Sequence, residues 1–200
     1  MENIWITLIT ALIAPVTLAG TAILWKYLEK RSDLRIKSLE KKLDKTEGEN
    51  RRNIGVIYNT LSVLLATLKA SRVYIIQPHP LKHHQYISVI FEVDDIGVMP
   101  AKTRIQEYPI DRVPEFVGEL SARDFIFWKN THEMKGVRAR ANFINIGTES
   151  LFIKQLSDER NDWVGSLVVD YLHKTDIAPD YARNEMAEAA EKIAFIIPEI

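Results

Sequence analysis

The chain has 200 residues, no cysteine and a formal net charge of -1. Without cysteine it can form no disulfide bond, no thiolate metal site, no cysteine nucleophile and no thioether link to a chromophore. A near-neutral charge also lacks the basic surplus that marks a nucleic-acid-binding domain. Nucleic acid is therefore not an expected partner.

An uncharged apolar run lies between Glu2 and Lys26. A helix of about 22 residues is about 33 Å long, which is enough to cross a hydrocarbon core of about 30 Å. Tryptophans lie near both ends, where indole rings favour a membrane interface, and lipid tolerates a proline and a glycine inside such a helix. The run predicts a transmembrane anchor in residues 1–26, with a buried core helix as the alternative. The residues that mark this anchor are Ile4, Trp5, Pro15, Gly20 and Trp25.

Basic residues follow the apolar run, and none precedes it. They are Lys26, Lys30, Arg31, Arg35 and Lys37. Because Lys and Arg are retained on the cytoplasmic side of a membrane, this asymmetry predicts that the N-terminus faces outward and that the bulk of the chain is cytoplasmic. The expected location is the inner (plasma) membrane, crossed once, with the lipid bilayer as a partner.

Residues 27–52 form a charged connector with no proline and no glycine before Gly48. Apolar residues recur in it at heptad spacing, which predicts a helix with a short coiled-coil seam. Two copies would pair weakly and in parallel through that seam, so a homodimer is expected. Asn50 either fixes the register inside the seam or is a solvated residue on the helix surface. The seam residues are Ile36, Leu39, Leu43, Asn50 and Ile57.

Residues 53–200 are predicted to form one cytoplasmic domain. Over residues 53–69, apolar side chains at three- and four-residue spacing predict a helix that packs on the core of that domain. Residues 72–77 and 86–93 are rich in β-branched and aromatic side chains, and each run is followed by turn-forming residues. These two runs predict an antiparallel β-hairpin.

The middle of this domain carries mixed patterns. Residues 103–108 are typical of a strand, and residues 111–120 predict a helix with Asp111 as a candidate N-cap. A nearby group of aromatic residues predicts a buried cluster, and the polar residues 131–140 predict a loop or the start of a helix. The aromatic residues are Phe125, Phe127 and Trp128.

The last part of the chain carries the clearest pattern. Residues 150–156 and 163–171 predict two strands that are joined by a polar turn. From residue 179 to residue 197, alanines and aliphatic residues at helical spacing predict a final helix, with Pro179 in its first turn. The order is therefore a helix, two strands, a mixed middle, two strands and a helix.

This order of elements resembles the GAF family of sensory domains over residues 53–200. The best local match is the run from Trp163 to Leu167, in which Gly165 lies between an aliphatic residue and a small residue. The resemblance implies an α+β fold, in which an antiparallel sheet is flanked by N- and C-terminal helices that often dimerise.

The resemblance does not extend to the best-known GAF ligands. Members that bind cyclic nucleotides carry an Asn-Lys-x-x-Phe-x-x-x-Asp-Glu pattern, and the corresponding residue types of this chain do not fall at that spacing. Those residues are Asn142, Phe143, Asp158 and Glu159. Members with a covalently bound chromophore use a cysteine, which this chain lacks. No cofactor is therefore expected.

Few residues suggest chemistry. The histidines and aspartates between residues 79 and 95 lack the fixed spacing of a zinc site, so no metal is expected. They are His79, His83, His84, Asp94 and Asp95. No spacing of acid, base and nucleophile points to a catalytic residue. A group of aromatic and cationic residues would line a ligand pocket, with core packing and a solvated surface as the alternatives. The group consists of Phe125, Phe127, Trp128, Trp163, Arg123 and Arg138.

The sequence thus predicts a membrane-anchored, non-enzymatic module that senses a small molecule or engages a partner protein. The alternative is a structural or scaffolding membrane protein, encoded by a phage or mobile element and acting in lysis, exclusion or membrane remodelling. In that alternative the GAF-like fold binds no ligand. A cavity between the sheet and residues 111–128 would favour the first hypothesis, and a sealed apolar core would favour the second.

Overall fold

The structure is a computed structural model that describes residues 46–80 and 85–198. The anchor and most of the seam predicted from the sequence lie outside the described residues, and so do two of the histidines. These residues are Ile4, Trp5, Pro15, Gly20, Trp25, Ile36, Leu39, Leu43, His83 and His84. Within the part of the chain that is described, no helix combines the length and the apolar character needed to cross a bilayer.

Residues 51–200 form one compact unit. The first described helix, α1, covers residues 46–68. The strands that follow it are β1 (Arg72–His79), β2 (Tyr86–Asp94), β3 (Tyr108–Pro109), β4 (Phe125–Trp128), β5 (Ser150–Ser157) and β6 (Trp163–Tyr171). The other helices are α2 (Pro114–Ala122), α3 (Val137–Asn145) and α4 (Pro179–Ile193).

The strands form one sheet in the order β3-β2-β1-β6-β5-β4, and all neighbours run antiparallel. β1 and β6 lie at the centre, where both faces of the sheet are covered and nearly every residue is buried. Their sequences therefore read as continuous apolar runs instead of alternating ones. The two hairpins predicted from the sequence, β1–β2 and β5–β6, are confirmed.

Helices α1 and α4 cover one face of the sheet, and α2 and α3 cover the other. Each helix buries one stripe of apolar side chains at three- and four-residue spacing, as an amphipathic helix does on a core. On the first face the stripes are Ile57, Leu61, Leu64 and Leu68 of α1, and Ala182, Met186, Ala189 and Ile193 of α4. On the second face they are Phe116 and Leu120 of α2, and Ala139 and Phe143 of α3.

The C-terminal end of α1 is tied to the centre of the sheet. The hydroxyl group of Tyr171 donates a hydrogen bond of 3.0 Å to the carbonyl oxygen of Leu68, the last residue of α1. The amide of Ser71 donates another, also of 3.0 Å, to the carbonyl oxygen of Asp170. Two consecutive residues of β6 therefore hold the junction between α1 and β1.

The structure differs from the sequence-based expectation at residues 125–128, which form strand β4. Phe125 and Phe127 point to the face covered by α1 and α4, whereas Trp128 points to the opposite face. Side chains of a strand alternate between faces, so the sheet itself divides the expected aromatic cluster. A four-residue strand is too short for its alternation to stand out in the sequence.

Two further elements start and end elsewhere than expected. The strand predicted at residues 103–108 is wrong, because a 3-10 turn forms at Ala101–Thr103 and pairing begins only at Tyr108. Helix α2 starts at Pro114, whose fixed backbone angle suits the first turn of a helix. Asp111 lies in the preceding 3-10 turn, and the N-cap position is occupied by Val113 without a side-chain hydrogen bond.

Candidate functional site

The aromatic residues of the predicted ligand pocket do not converge. Phe127 stacks on Phe152 with a ring distance of 4.5 Å on the α1/α4 side of the sheet. Trp128 and Trp163 are buried on the opposite side, in the core beneath α2 and α3. The indole nitrogen of Trp163 donates a hydrogen bond of 3.1 Å to the hydroxyl of Ser166. These rings serve two separate cores.

The two arginines of the predicted pocket also lie away from its aromatic residues. Arg123 is exposed at the C-terminal end of α2, and Arg138 is exposed on α3. Phe125 has a different cation beside it, because the guanidinium of Arg183 lies 4.9 Å from the centre of its ring. The structure therefore gives no anion site made by Arg123 and Arg138 together with the aromatic residues.

A narrow cleft does lie between the sheet and helices α2 and α3, where the sequence-based hypothesis required a cavity. Its volume is about 20 Å³. Such a space holds about one water molecule, whereas pockets for small molecules are about 300 to 1,000 Å³. Residues that line it include Ile87, Tyr108, Val113, Phe116, Asn142 and Phe143.

Aromatic packing explains why this cleft is so small. The rings of Phe116 and Phe143 meet edge to face at 5.5 Å, and Phe116 lies 6.3 Å from Trp128. Phe143 is 1% exposed, so its side chain belongs to the core and does not line an open surface. Helices α2 and α3 thereby fill the space above the sheet with their own side chains.

A row of polar side chains lies at one end of the same sheet face. Arg72 of β1 has Asp94 of β2 as its cross-strand neighbour on one side and Asp170 of β6 on the other, and Tyr74 has Glu92 beside it. Cross-strand neighbours share a face of the sheet, so these five residues form one group. We refer to these five residues as the polar row.

All N–H groups of Arg72 are used within this part of the structure. Its Nε donates to Asp170, its Nη1 to the carbonyl oxygens of Met99 and Ile146, and its Nη2 to Thr148 and Asp170. A guanidinium has five N–H donors, and these contacts account for all of them. Arg72 therefore fastens two loops to the sheet, and it has no donor left for Asp94.

The buried pair at the centre of the row is strongly coupled. Burial raises the pKa of the Asp170 carboxyl, and Arg72 together with hydrogen bonds from Thr148 and Tyr74 opposes that rise. Burial lowers the pKa of the Arg72 guanidinium, but the attraction and hydrogen bonds to Asp170, together with Tyr74 and Glu92, raise that pKa overall. Neither side chain has exposed surface, and the Nη2 to Oδ2 distance is 2.8 Å.

The other two carboxyls of the row lie at its edge. The oxygens of Glu92 accept hydrogen bonds from the amides of Ala101 (2.6 Å) and Lys102 (2.8 Å), at the start of the 3-10 turn. Asp94 Oδ1 is buried and has no hydrogen-bond partner among the described residues. An open groove of about 310 Å³ runs past both carboxyls, and it is lined by Tyr58, Pro100, Lys102 and Thr103 as well.

No metal centre is found among the described residues, where no three His, Cys, Asp or Glu side chains are placed so that they could hold one metal ion. His79 instead exchanges a hydrogen bond of 2.8 Å with Ser88 and stacks on the ring of Tyr86 at 5.7 Å. Asp95, just after the other end of β2, accepts a hydrogen bond from the amide of Ile96. These contacts assign His79 and Asp95 to the local structure of the β1–β2 hairpin.

The exposed side of α1 is uncharged from Asn53 to Leu68. No residue from Asn53 to Leu68 carries a charge, yet Val56 and Val63 are 41% and 57% exposed. Ile57, which the sequence places in the dimer seam, has no exposed surface because it packs on the sheet. Asn50 is exposed. A partner helix would therefore meet Val56 and Val63, which lie seven residues apart, and would not meet Ile57.

Comparisons with known proteins support the fold. No protein-family model and no curated protein match this sequence. Solved structures do match: the blue-light-absorbing GAF domain of PixJ from Thermosynechococcus elongatus is 12% identical, with a TM-score of 0.61. That match covers 74% of this chain and 86% of the PixJ chain.

Two further solved structures agree with it. The GAF domain region of a protein from Geobacter sulfurreducens PCA, provisionally named a membrane protein, is 16% identical with a TM-score of 0.59, over 76% of this chain and 97% of that one. A domain of a Sinorhizobium meliloti 1021 protein, provisionally named a two-component sensor histidine kinase, is 14% identical. Its TM-score is 0.53, over 70% of this chain and 86% of that one. The described domain has a GAF-like α+β fold.

The sequence patterns do not predict the polar row, although two charged residues in predicted buried strands indicate that such a group exists. Arg72 and Asp170 stand at the ends of two apolar runs that predict buried strands. A charged residue in such a run is buried with a partner or lies beyond the strand end. The sequence cannot pair them, because the two residues are 98 positions apart.

Proposed function

We propose that this protein is a non-enzymatic, GAF-like sensory module that acts through contact with another protein chain and not through a small molecule held in its core. The observation that carries the proposal is the cleft of about 20 Å³ between the sheet and helices α2 and α3. A ligand of ordinary size would have to displace Phe116 or Phe143, which are packed in the apolar core.

The same observation favours one part of the alternative hypothesis, in which a GAF-like fold binds no ligand and serves as a scaffold. The two hypotheses differ in whether the domain changes state. A sensory module requires an element that responds to a signal, whereas a scaffold needs only a fixed surface. The uncharged side of α1 offers a contact surface in either case.

A second copy of the chain is the partner that we propose for this surface. In a two-fold dimer a surface patch meets its own copy, so a patch with one sign of charge would repel itself. The exposed side of α1 avoids this because residues 53–68 carry no charge. Val56 and Val63 would pack at the centre of the contact.

We further propose that residues 1–26 anchor the module in the inner membrane, with the domain on the cytoplasmic side. The support is the uncharged run from Ile4 to Trp25 and the basic residues that follow it. A reporter fused after Ile200 should be active in the cytoplasm. A reporter signal from the outer side of the membrane would contradict the orientation.

Mass spectrometry of the purified full-length protein tests the absence of a core ligand. Native spectra of the detergent-solubilised protein should show the mass of the polypeptide alone, and a denatured extract should release no stoichiometric small molecule. A bound molecule released in a one-to-one ratio would overturn the proposal. Phe143→Trp adds volume to the core. If a ligand occupied the cleft, this variant should lower the ratio of ligand to protein.

Sedimentation of the full-length protein in detergent tests the contact surface. Val56→Asp combined with Val63→Asp should shift the protein toward monomer, because two carboxylates would be buried against their own copies. Val137→Asp is the matched control, since Val137 is an exposed valine on α3, on the other side of the domain. Equal sedimentation of the paired variant and the control would reject α1 as the contact.

A further inference from the structure

The charges of the polar row do not balance. Three carboxyls, those of Glu92, Asp94 and Asp170, lie on one face of three adjacent strands, and Arg72 is the cation among them. Every N–H group of Arg72 is directed at Asp170, Thr148 or a backbone carbonyl oxygen. Asp170 is therefore neutralised, whereas Glu92 and Asp94 are left beside each other without a cation of their own in the row.

Asp94 Oδ1 also lacks a hydrogen-bond donor. It is buried and has no partner in the described residues. The amides of Ala101 and Lys102 donate to Glu92. The ammonium group of Lys102 donates to the carbonyl oxygen of Ile90. A buried oxygen without a donor is costly, so a proton between the two carboxyls would complete the site.

We infer that the Glu92 carboxyl carries a proton that it donates to Asp94, and that loss of this proton loosens the segment formed by residues 95–103. This inference goes beyond the proposed function, because it assigns a responsive element to the domain whichever partner the domain engages. Two carboxyls that lie side by side cannot both ionise without repulsion, so one of them keeps a proton into a higher pH range than an isolated carboxyl does.

Electrostatics of the site support this pairing. Burial raises the pKa of Glu92 to about 7, the amides of Lys102 and Ala101 act against the rise, and Asp94 adds to it. The other ionisable groups around Glu92 are Arg72 and Tyr74 of β1, Tyr58 of α1 and Lys102 of the 3-10 turn, and Asp170 of β6 lies beyond Arg72. Tyr74 is neutral near pH 7, because burial raises its pKa well above the usual value.

Loss of the proton would act on the segment that follows β2. A second negative charge at the edge of the row draws Arg72 toward Asp94, and Arg72 can respond only by giving up one of its present acceptors. The carbonyl oxygen of Met99, at 2.6 Å from Nη1, is the acceptor within residues 95–103. That segment also displays Ile96, which is 100% exposed, and Met99, which is 49% exposed. A change in pH would therefore alter the positions of the exposed side chains of Ile96 and Met99.

Hydrogen–deuterium exchange of the full-length protein in detergent tests the inference. Peptides that cover residues 95–103 should lose protection as the pH rises from about 5.5 to about 8, after correction for intrinsic exchange, by up to about tenfold per pH unit. Peptides from β5 and β6 serve as the internal reference. A segment whose protection does not change with pH in the wild-type protein would overturn the inference.

Variants identify the groups responsible. Glu92→Gln removes the titrating carboxyl, so protection of the segment should no longer change with pH, even though the Gln amide nitrogen replaces one of the two oxygens that accept from Ala101 and Lys102. Asp94→Asn removes the neighbouring carboxylate, so it should also reduce the pH dependence. Glu115→Gln, at an exposed position on α2, should behave like the wild-type protein. Wild-type pH dependence in both Glu92→Gln and Asp94→Asn would overturn the inference. Protection restored at about pH 8 by millimolar calcium would also overturn it, because the pair would then be a cation site.

Discussion

Arg72 and Asp170 face each other from the two central strands, and their side chains pair at 2.8 Å without any exposed surface. Removal of one member leaves an uncompensated charge in the interior, so Arg72→Met should reduce the free energy of unfolding by about 3 to 5 kcal/mol. Denaturant titration of the full-length protein measures this loss. Arg138→Met, at an exposed position, should change it by less than about 0.5 kcal/mol.

The double replacement distinguishes a charge effect from a packing effect. Arg72→Met with Asp170→Leu removes both charges, so the double variant should be more stable than Arg72→Met alone. A double variant as unstable as the sum of the two single variants would indicate that the loops tied by Arg72, at Met99 and Ile146, matter more than the ion pair.

Gly165 is predicted to resist substitution. A β-carbon at this position would lie 3.0 Å from the backbone carbonyl oxygen of Ile76, on the neighbouring central strand. Gly165→Ala should therefore reduce stability by about 1 to 3 kcal/mol, because the strands must move apart. Gly118→Ala should have no destabilising effect, since nothing lies within 4 Å of a β-carbon in that helical position. Thermal unfolding of the two alanine variants compares them directly.

Stability should depend on pH through Glu92. Its pKa is about 7 in the folded protein and 4.5 in the reference state, so the folded state binds the proton more tightly. The resulting stability is present below about pH 4.5 and is lost as the pH rises through about 7. Because the group is only partly buried, the loss should be about 1 to 2 kcal/mol.

The difference between Glu92→Gln and the wild-type protein isolates this contribution. Asp170 also has a raised pKa and acts in the same direction, but it is present in both proteins. Denaturant titrations at several pH values should show a shallower decline for Glu92→Gln. Parallel pH profiles would mean that Glu92 does not titrate in this range.

Phe143 should be the residue that keeps the cleft closed. Phe143→Ala removes a ring that is 1% exposed, and it should destabilise the domain by about 3 to 5 kcal/mol while opening a dry cavity. Benzene or indole should then raise the melting temperature of the variant and leave that of the wild-type protein unchanged. Ile144→Ala, on the exposed side of the same helix, is the control and should bind neither compound.

The strands could be predicted where burial leaves a simple pattern. Residues 72–77 and 163–171 each contain an unbroken apolar stretch, 73–76 and 167–169, and both ranges lie in central strands covered on two faces. Strand β4 could not be recognised, since Phe125 and Trp128 belong to opposite faces and four residues give too little alternation. Helix α3 is short and has few buried residues, Ala139 and Phe143, so its amphipathic pattern is weak.

The site was harder to predict than the fold, for a physical reason. Aromatic residues that are close in sequence, such as Phe127 and Trp128, were expected to line one pocket, but a strand sends neighbouring side chains to opposite faces. The pairing of Arg72 with Asp170 depends on contacts between strands distant in sequence, which no local pattern encodes. The burial of Ile57 against the sheet could not be predicted either, because heptad spacing does not show whether a residue faces the sheet or a partner helix.

The junction between α1 and β1 has a mechanical consequence. Tyr171 holds the last residue of α1, and the adjacent Asp170 holds both the backbone of Ser71 and the side chain of Arg72. A force applied along the axis of α1 would therefore be carried by two consecutive residues of β6, at the middle of the sheet. Displacement of that helix would also strain the loops at Met99 and Ile146, since Arg72 donates hydrogen bonds to the carbonyl oxygens of both residues. A force on α1 would thus be transmitted to both faces of the sheet, and this transmission needs no ligand in the core.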